Sequence, residues 1–366
     1  MAEFAFDIAI LGGGQLARMS AQAAQRLGLR VWILDPDDQA PARQICAGMN
    51  APIESEEGLR EAFRVAQNVT LENEFIPAEL IQAALEASGR DPQCLKPGCL
   101  TLGIIQDKLR QREAYRQAGV PSPRALPAAR AAELGFPCVL KARFRGYDGK
   151  GTLVVQNEAE YEAARSRWDQ DPWLAEEFVP FRRELAVMVA RSNQEIQVFP
   201  TMETVQTNHV CDLVYPADAD ASDIAVAAVE AVDGYGLFGV ELFETSDGQL
   251  TVNEMAPRPH NTGHYTLDWG GVSQFEMHVR LCMGWSLPET MGLPVAMANL
   301  LGQEGAQDVH RAIGAAFASD PEVNVHWYGK MESRPGRKMG HINAVGPDAQ
   351  RRAVRAREAF YKGWCS

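Results

Sequence analysis

VELFETSDGQLTVNE, residues 240–254, places two glutamates, Glu241 and Glu254, at the ends of a hairpin-like pattern. Asp-Gly between alternating apolar residues is a strong short-range hairpin signal. With Asp247 and Gly248 as a two-residue turn, paired residues have numbers summing to 495, which sets Glu241 directly opposite Glu254. The Cβ atoms of such a pair stand about 4.5–5.5 Å apart, and like charges there repel. A divalent cation between them removes the repulsion; Mg2+ is typically held by one or two carboxylates plus substrate phosphates. The competing reading is a shifted register that turns one glutamate to solvent. Apolar Val240, Leu242 and Val252 indicate a half-buried sheet and favour the metal reading.

A second stretch, KARFRGYDGKGTLVV (141–155), holds Gly146, Gly149 and Gly151 around Lys150, with Lys141, Arg143 and Arg145 ahead of them. PCVLKAR and GTLVVQ read as strands, so the glycines form a hairpin tip. A phosphate loop of the Walker type needs a helix after the glycines, and none is expected here. Glycines let backbone approach a ligand closely, and Val139, Lys141 and Arg143 share one strand face. The functional reading is a flap over phosphates; the alternative is an ordinary surface hairpin. MAPRPHNTGHYT (255–266) reads as a loop rich in polar groups. His260 and His264 are four apart, but Asn-Thr-Gly between them is poor helix sequence, which argues against a zinc pair. A substrate-orienting loop or surface histidines remain. YGKMESRPGRKMGH (328–341) gathers Lys330, Arg334, Arg337 and Lys338, which suit a phosphate monoester or a solvated loop. Glu176, Glu177 and Glu184 suit adenine and ribose contacts, or edge-strand protection.

Earlier in the chain, DIAIL (7–11), three glycines, a helical QLARMSAQAAQRLG and LRVWILD (29–35) form a βαβ pattern. Gly12, Gly14 and Ala17, followed by Asp35, satisfy a dinucleotide fingerprint. An NAD-dependent oxidoreductase is therefore an alternative, although it leaves the glutamate pair and the flap unexplained. QDKLRQREAYRQAG (106–119) is a helix with a glycine stop. The 366 residues carry a net charge of -13 and seven scattered cysteines. This acidity disfavours nucleic acid as a partner, and the cysteines suit a reducing cytoplasm. No signal peptide or membrane span is expected.

Taken in order, GGGQL, QDKL, KARxxGYDGKG, EEFVPFxREL, VNEMAPRPHNTGH, SQFEMHVR and KxxxRPGRKMGH resemble the N5-carboxyaminoimidazole ribonucleotide synthetases of purine biosynthesis, which are ATP-grasp enzymes. The resemblance implies an α/β (α+β) ATP-grasp fold with an N-terminal Rossmann-like (pre-ATP-grasp) domain. Its expected units are 1–100, a small flap-bearing subdomain at 101–180, and a larger subdomain at 181–366 with the metal and substrate-phosphate segments. It implies ATP, Mg2+ and bicarbonate as reactants, with no biotin and no NAD, and carboxylation of 5-aminoimidazole ribonucleotide through carboxyphosphate. Its partner is that small phosphorylated substrate; a cytoplasmic homodimer is also implied. A formate-dependent glycinamide ribonucleotide transformylase is a related alternative.

By matching motif, Lys108, Lys141, Gly146, Tyr147, Asp148, Gly149, Lys150, Gly151, Glu176, Glu177, Phe178, Val179, Glu184, Gln206, Asn253 and Glu254 would hold ATP. Tyr147, Asp148, Lys150 and Arg258 would be catalytic, and Glu241 and Glu254 would bind Mg2+. Gln15, Leu16, Glu74, Arg258, His260, Asn261, Thr262, Lys330, Arg337 and Lys338 would face the ribonucleotide, and the glycine turn at 12–14 would serve its phosphate. Lys108 stands where many members have arginine, Arg145 replaces a common glycine, and Ala256 occupies a frequent asparagine position.

Overall fold

A computed structural model describes residues 4–146, 151–165, 172–304 and 308–364. Among these residues three sheets follow one another in sequence. The first is five-stranded and parallel: β1 (Phe6–Leu11), β2 (Val31–Asp35), β3 (Ala47–Asn50), β4 (Ala66–Leu71) and β5 (Leu95–Lys96), in the order β3-β2-β1-β4-β5. The buried runs Ile8–Leu11 and Val31–Leu34 are apolar on both sides because helices cover both faces. Helix α1 (Gln15–Arg26) packs on one face; α2 (Glu56–Val65) and α3 (Ala78–Ser88) pack on the other. A short α4 (Cys99–Gln106) leads to α5 (Lys108–Ala118). Asp107 caps α5, accepting from the amides of Leu109 at 3.1 Å and Arg110 at 3.3 Å, and left-handed Gly119 ends it.

The second sheet has β6 (Ala125–Pro127), β7 (Cys138–Ala142), β8 (Thr152–Val155) and β9 (Trp173–Glu177), ordered β6-β9-β7-β8 and backed by α6 (Glu158–Ala164). β7 and β8 pair from Cys138–Val155 to Lys141–Thr152, so the glycine segment does join the ends of a hairpin. Its tip, Tyr147 to Lys150, lies outside the described residues.

The third sheet is antiparallel: β10 (Phe181–Arg191), β11 (Ile196–Val198), β12 (Met202–Thr207), β13 (Val210–Pro216), β14 (Gly236–Thr245), β15 (Leu250–Ala256), β16 (Val295–Leu301), β17 (Asn324–Trp327) and β18 (Lys338–Val345). Its order is β15-β14-β10-β12-β13-β16-β18-β17, with β11 on β10. Helix α7 (Ser222–Ala231) and residues of α5 cover one face near β10 and β14. The other face packs on a 3-10 turn, Asn261–Leu267, and on α8 (Gln274–Met283). Farther along, α9 (Val309–Ser319) and α10 (Ala349–Trp364) cover the β16–β18 end. Val279 and Cys282 of α8 also join the apolar cluster under α1. This packing brings the 258–267 segment to the glycine turn of the first sheet.

Two sequence expectations change. The β14–β15 turn is not Asp247-Gly248 alone. Thr245 donates its amide to the Gln249 carbonyl at 3.0 Å, leaving a three-residue loop, Ser246–Gly248, with Gly248 at φ +80°. Near this loop Phe243 faces Thr251 and Leu242 faces Val252, one step off the expected register. A bulge before Glu254 then restores the shift, so Glu241 does face Glu254. Residues 255–266 are likewise not all loop: the 3-10 turn begins at Asn261, and His264 is fully buried, which removes the surface alternative for it.

Candidate active site

The hairpin ends, α5, the small sheet and the 258–267 segment meet around one cleft. Lys108, the first residue of α5, places its Nζ 2.8 Å from Glu254 Oε2. Lys141, near the end of β7, places Nζ 2.7 Å from Glu176 Oε2 and 3.2 Å from Asn253 Oδ1. The other Glu176 oxygen accepts from Arg112 Nε at 2.7 Å, inside a pair almost sealed from solvent. Burial alone would raise the Glu176 carboxyl, but Arg112 and Lys141 outweigh it and hold it at about 2. Glu254 keeps two-fifths of its side chain open to the cleft. Burial also opposes its charge, yet Lys108 above all, and then Lys141, bring it down to about 2. Both carboxylates are therefore ionised at neutral pH.

On the opposite wall, His260 Nε2 stands 3.8 Å from Glu241 Oε1, and its Nδ1 lies 2.9 Å from Thr262 Oγ1. Gln274, fully buried on α8, fixes this histidine's backbone by accepting from its amide at 2.9 Å and donating to its carbonyl at 2.8 Å. Burial, then the charges of Arg258 and Lys338, push His260 down to about 3. The imidazole is therefore neutral at pH 7. Asn261 is turned inward, exchanging side-chain hydrogen bonds with Asn299.

The first sheet supplies the far side. Arg258 forms an ion pair with Glu74, including NH2 to Oε1 at 2.9 Å. Gly13 donates its amide to Asp35 Oδ2 at 2.7 Å, and Gly14 donates to Glu72 Oε2 at 2.7 Å. Leu16 adds an amide bond to Glu72 Oε1 at 3.4 Å. A Cβ at Gly14 would run into the Glu72 carboxylate, which would have to give way and leave this amide. The turn amides expected to meet a substrate phosphate are thus already held by two carboxylates of the chain, and Asp35 is engaged with backbone. Burial raises the Glu72 carboxyl against the pull of the Gly14 amide, Lys330 and Arg258. Lys330 donates to the Lys338 carbonyl at 2.7 Å, and Arg337 to the Glu332 carbonyl at 2.8 Å.

The structure thus gathers Lys108, Lys141, Glu176, Asn253, Glu254, Glu241 and His260, and sets Arg258, Glu74 and Lys330 beside them. Glu184 and Gln206 form a hydrogen-bonded pair on β10 and β12 beside this group, with Glu184 raised by burial and by the charge of Glu254 against the pull of Gln206 and Lys141. Glu177 instead pairs with Arg124 at 3.3 Å, and Phe178 is exposed next to it. Leu16 packs with Met19, Phe275 and Tyr328. Sequence reasoning missed Arg112, Gln274, Asn299 and Asp107. Arg112 had one signal: it follows Lys108 by four residues and so shares its helix face.

The Glu241–Glu254 pair suits Mg2+: two hard oxygen donors oppose one another, one is firmly ionised, and an ammonium already lies on it. Among the described residues no cluster of three or more His, Cys, Asp or Glu has metal-binding geometry.

Three family models match the chain in sequence: the ribonucleotide synthetase preATP-grasp domain at 6–106, the ATP-grasp domain at 115–275, and the phosphoribosylaminoimidazole carboxylase C-terminal domain at 295–355. An N5-carboxyaminoimidazole ribonucleotide synthase of Synechococcus elongatus is 41% identical over 353 residues, spanning 92% of this chain and 88% of its own. This chain belongs to the N5-carboxyaminoimidazole ribonucleotide synthase family. Its fold is the ATP-grasp fold with an N-terminal pre-ATP-grasp domain. The N5-carboxyaminoimidazole synthetase of Staphylococcus aureus complexed with ADP superposes with a TM-score of 0.88 at 31% identity, covering 98% of both chains. The Aspergillus clavatus enzyme, in complex with ADP and 5-aminoimidazole ribonucleotide, gives 0.86 at 30% identity over 98% of this chain and 99% of that one.

Proposed function

We propose that this chain carboxylates 5-aminoimidazole ribonucleotide with bicarbonate at the expense of ATP, giving N5-carboxyaminoimidazole ribonucleotide, ADP and phosphate in purine biosynthesis. The observation that carries this reading is the junction of two ionised carboxylates and two lysines with a neutral histidine in a family member. A bicarbonate oxygen attacks the γ-phosphorus and the bond to ADP breaks, giving carboxyphosphate. That intermediate releases CO2 and phosphate, and the exocyclic amine of the ribonucleotide adds to CO2 and loses a proton.

Lys108 and Lys141 would contact the ATP phosphates and supply fixed positive charge to phosphoryl transfer; their pairing with Glu254 and Glu176 supports this. Glu241 and Glu254 would hold Mg2+, which when bound neutralises charge on the transferring phosphoryl group. His260, anchored by Gln274, would face the imidazole substrate and the incoming carboxyl as a neutral hydrogen-bonding group. Arg258, held by Glu74, presents charge to the carboxyl being transferred. Lys330, Arg337 and Lys338 would bind the ribonucleotide phosphate. The glycine hairpin on β7 and β8 would close over the cleft and keep water from carboxyphosphate. The adenine would lie along Glu176–Val179, and Glu184 with Gln206 would take the ribose. Against an NAD reading stand Asp35 and Glu72, whose carboxylates occupy the turn amides a pyrophosphate would need.

Phosphate release from Mg-ATP, with bicarbonate and the ribonucleotide each present or omitted, tests the reading. Release that needs both supports it; release that needs formate in place of bicarbonate replaces the substrate, and no release at all removes the activity. We further read the active chain as a cytoplasmic homodimer, on the family resemblance; sedimentation of the full chain tests the assembly.

A further inference from the structure

We propose that Arg112 is a positioning residue that locks the β15 bulge and so decides which side chain faces Glu241. The inference rests on the two-carboxylate metal reading above. Continued from its loop, the β14–β15 ladder would set Asn253 opposite Glu241, following Leu242–Val252. Glu254 would then turn to the other face of the sheet, because successive strand residues alternate faces. The bulge inserts Asn253 as the extra residue and brings Glu254 into place.

Arg112 holds the chain at that point. Its NH1 donates to the Val252 carbonyl at 3.2 Å, its NH2 donates to the Asn253 carbonyl, and its Nε donates to Glu176 Oε1 at 2.7 Å. Glu176 Oε2 accepts from Lys141, which reaches the Asn253 side chain at 3.2 Å. Arg112, Glu176, Lys141 and Asn253 therefore close a ring around the bulge. Arg112 is 5% exposed and Glu176 2%, so water does not compete for these bonds. Only a planar, multi-donor guanidinium can serve two adjacent carbonyls and a carboxylate together; an ammonium of similar charge cannot reproduce the fork. One turn earlier on the same helix, Lys108 bonds the Glu254 carboxylate at 2.8 Å. Helix α5 thus fixes both the bulge and the ligand it delivers.

The test is Mn2+ uptake by the full chain in the presence of ADP, read as loss of the free-ion electron paramagnetic resonance signal, for wild type and Arg112→Lys. Mn2+ affinity is expected to fall about tenfold or more, as for other residues that orient a metal ligand. Calorimetric affinity for the ribonucleotide should stay at the wild-type value. Unchanged Mn2+ affinity overturns the proposal. So does a parallel loss of ribonucleotide, ADP and Mn2+ binding with falling thermal stability, which is the mark of general loosening. If wild type itself takes up no Mn2+ with ADP, the metal reading fails first. Should Arg112→Lys not fold, Arg112→Gln decides. Its amide can donate to only one of the two carbonyls and leaves Glu176 without its partner, so Mn2+ affinity should again fall about tenfold or more, and wild-type affinity refutes the register argument.

Discussion

Gly239→Ala tests whether the position of His260 governs turnover. Gly239 lies on β14 opposite Ala256, two residues before Glu241. A Cβ added there would come 2.5 Å from His260 Cβ and 2.9 Å from its Cγ. Ordinary contact begins at 3.4 Å, so the histidine must retreat by about 0.9 Å. The obstacle is the root of the side chain, and a rotamer change cannot relieve it. The backbone at 260, pinned by Gln274, has to move. Overpacking of this kind costs about 1–3 kcal/mol of stability. A displacement near 1 Å of a group that positions the substrate costs roughly 100-fold in kcat/KM. Phosphate release coupled to ribonucleotide consumption measures the loss, and thermal unfolding measures the stability. Gly314→Ala is the control: it sits in α9 with nothing within 4 Å of the added Cβ, and should leave turnover unchanged. Wild-type kcat/KM in Gly239→Ala would show that the location of His260 does not matter to the reaction.

Other outcomes follow from the same geometry. Glu254→Gln removes an ionised ligand from a partly open position and should lower kcat by roughly 1000-fold, since a bound metal supplies several kcal/mol, with far-ultraviolet circular dichroism unchanged. Lys338→Met should raise KM for the ribonucleotide about 10- to 100-fold through one lost charged hydrogen bond, leaving KM for ATP in place. His278, 3% exposed, faces Thr70 Oγ1 at 3.0 Å and is pushed down to about 4 from 6.5 by burial. A depressed histidine binds its proton more readily when unfolded, so stability is lost as pH falls from 6.5 toward 4. Urea denaturation at pH 7 and pH 5 should show His278→Gln losing about 2 kcal/mol less than wild type over that interval; an identical loss would remove His278 as the cause.

Much of the fold is legible in the residues. Period and glycine placement give β1–α1–β2, and the flanks of the glycine segment give the β7–β8 hairpin. The facing of Glu241 and Glu254 also follows from the sequence, though through a cancellation. The loop is one residue longer than Asp-Gly suggests, and the bulge at Asn253 returns the step. Neither is local: the bulge depends on Arg112, which lies 141 positions away from Asn253. Likewise nothing near Gly14 in sequence announces that Glu72, 58 positions on, takes its amide. The fingerprint reads as a site for an external phosphate because the chain's own carboxylate becomes visible only when β1 and β4 pair. His264 passes for a surface residue because polar composition conceals burial; Gln274 from α8 satisfies its Nδ1 at 2.9 Å.

The most direct measurement is isotope transfer. Bicarbonate labelled with 18O is supplied with Mg-ATP and 5-aminoimidazole ribonucleotide, and the phosphate released is analysed by mass spectrometry. Attack of bicarbonate on the γ-phosphorus predicts one labelled oxygen in each phosphate formed. Unlabelled phosphate from a reaction that still forms the carbamate would contradict carboxyphosphate, and with it the proposed roles of Lys108, Lys141 and the glycine hairpin.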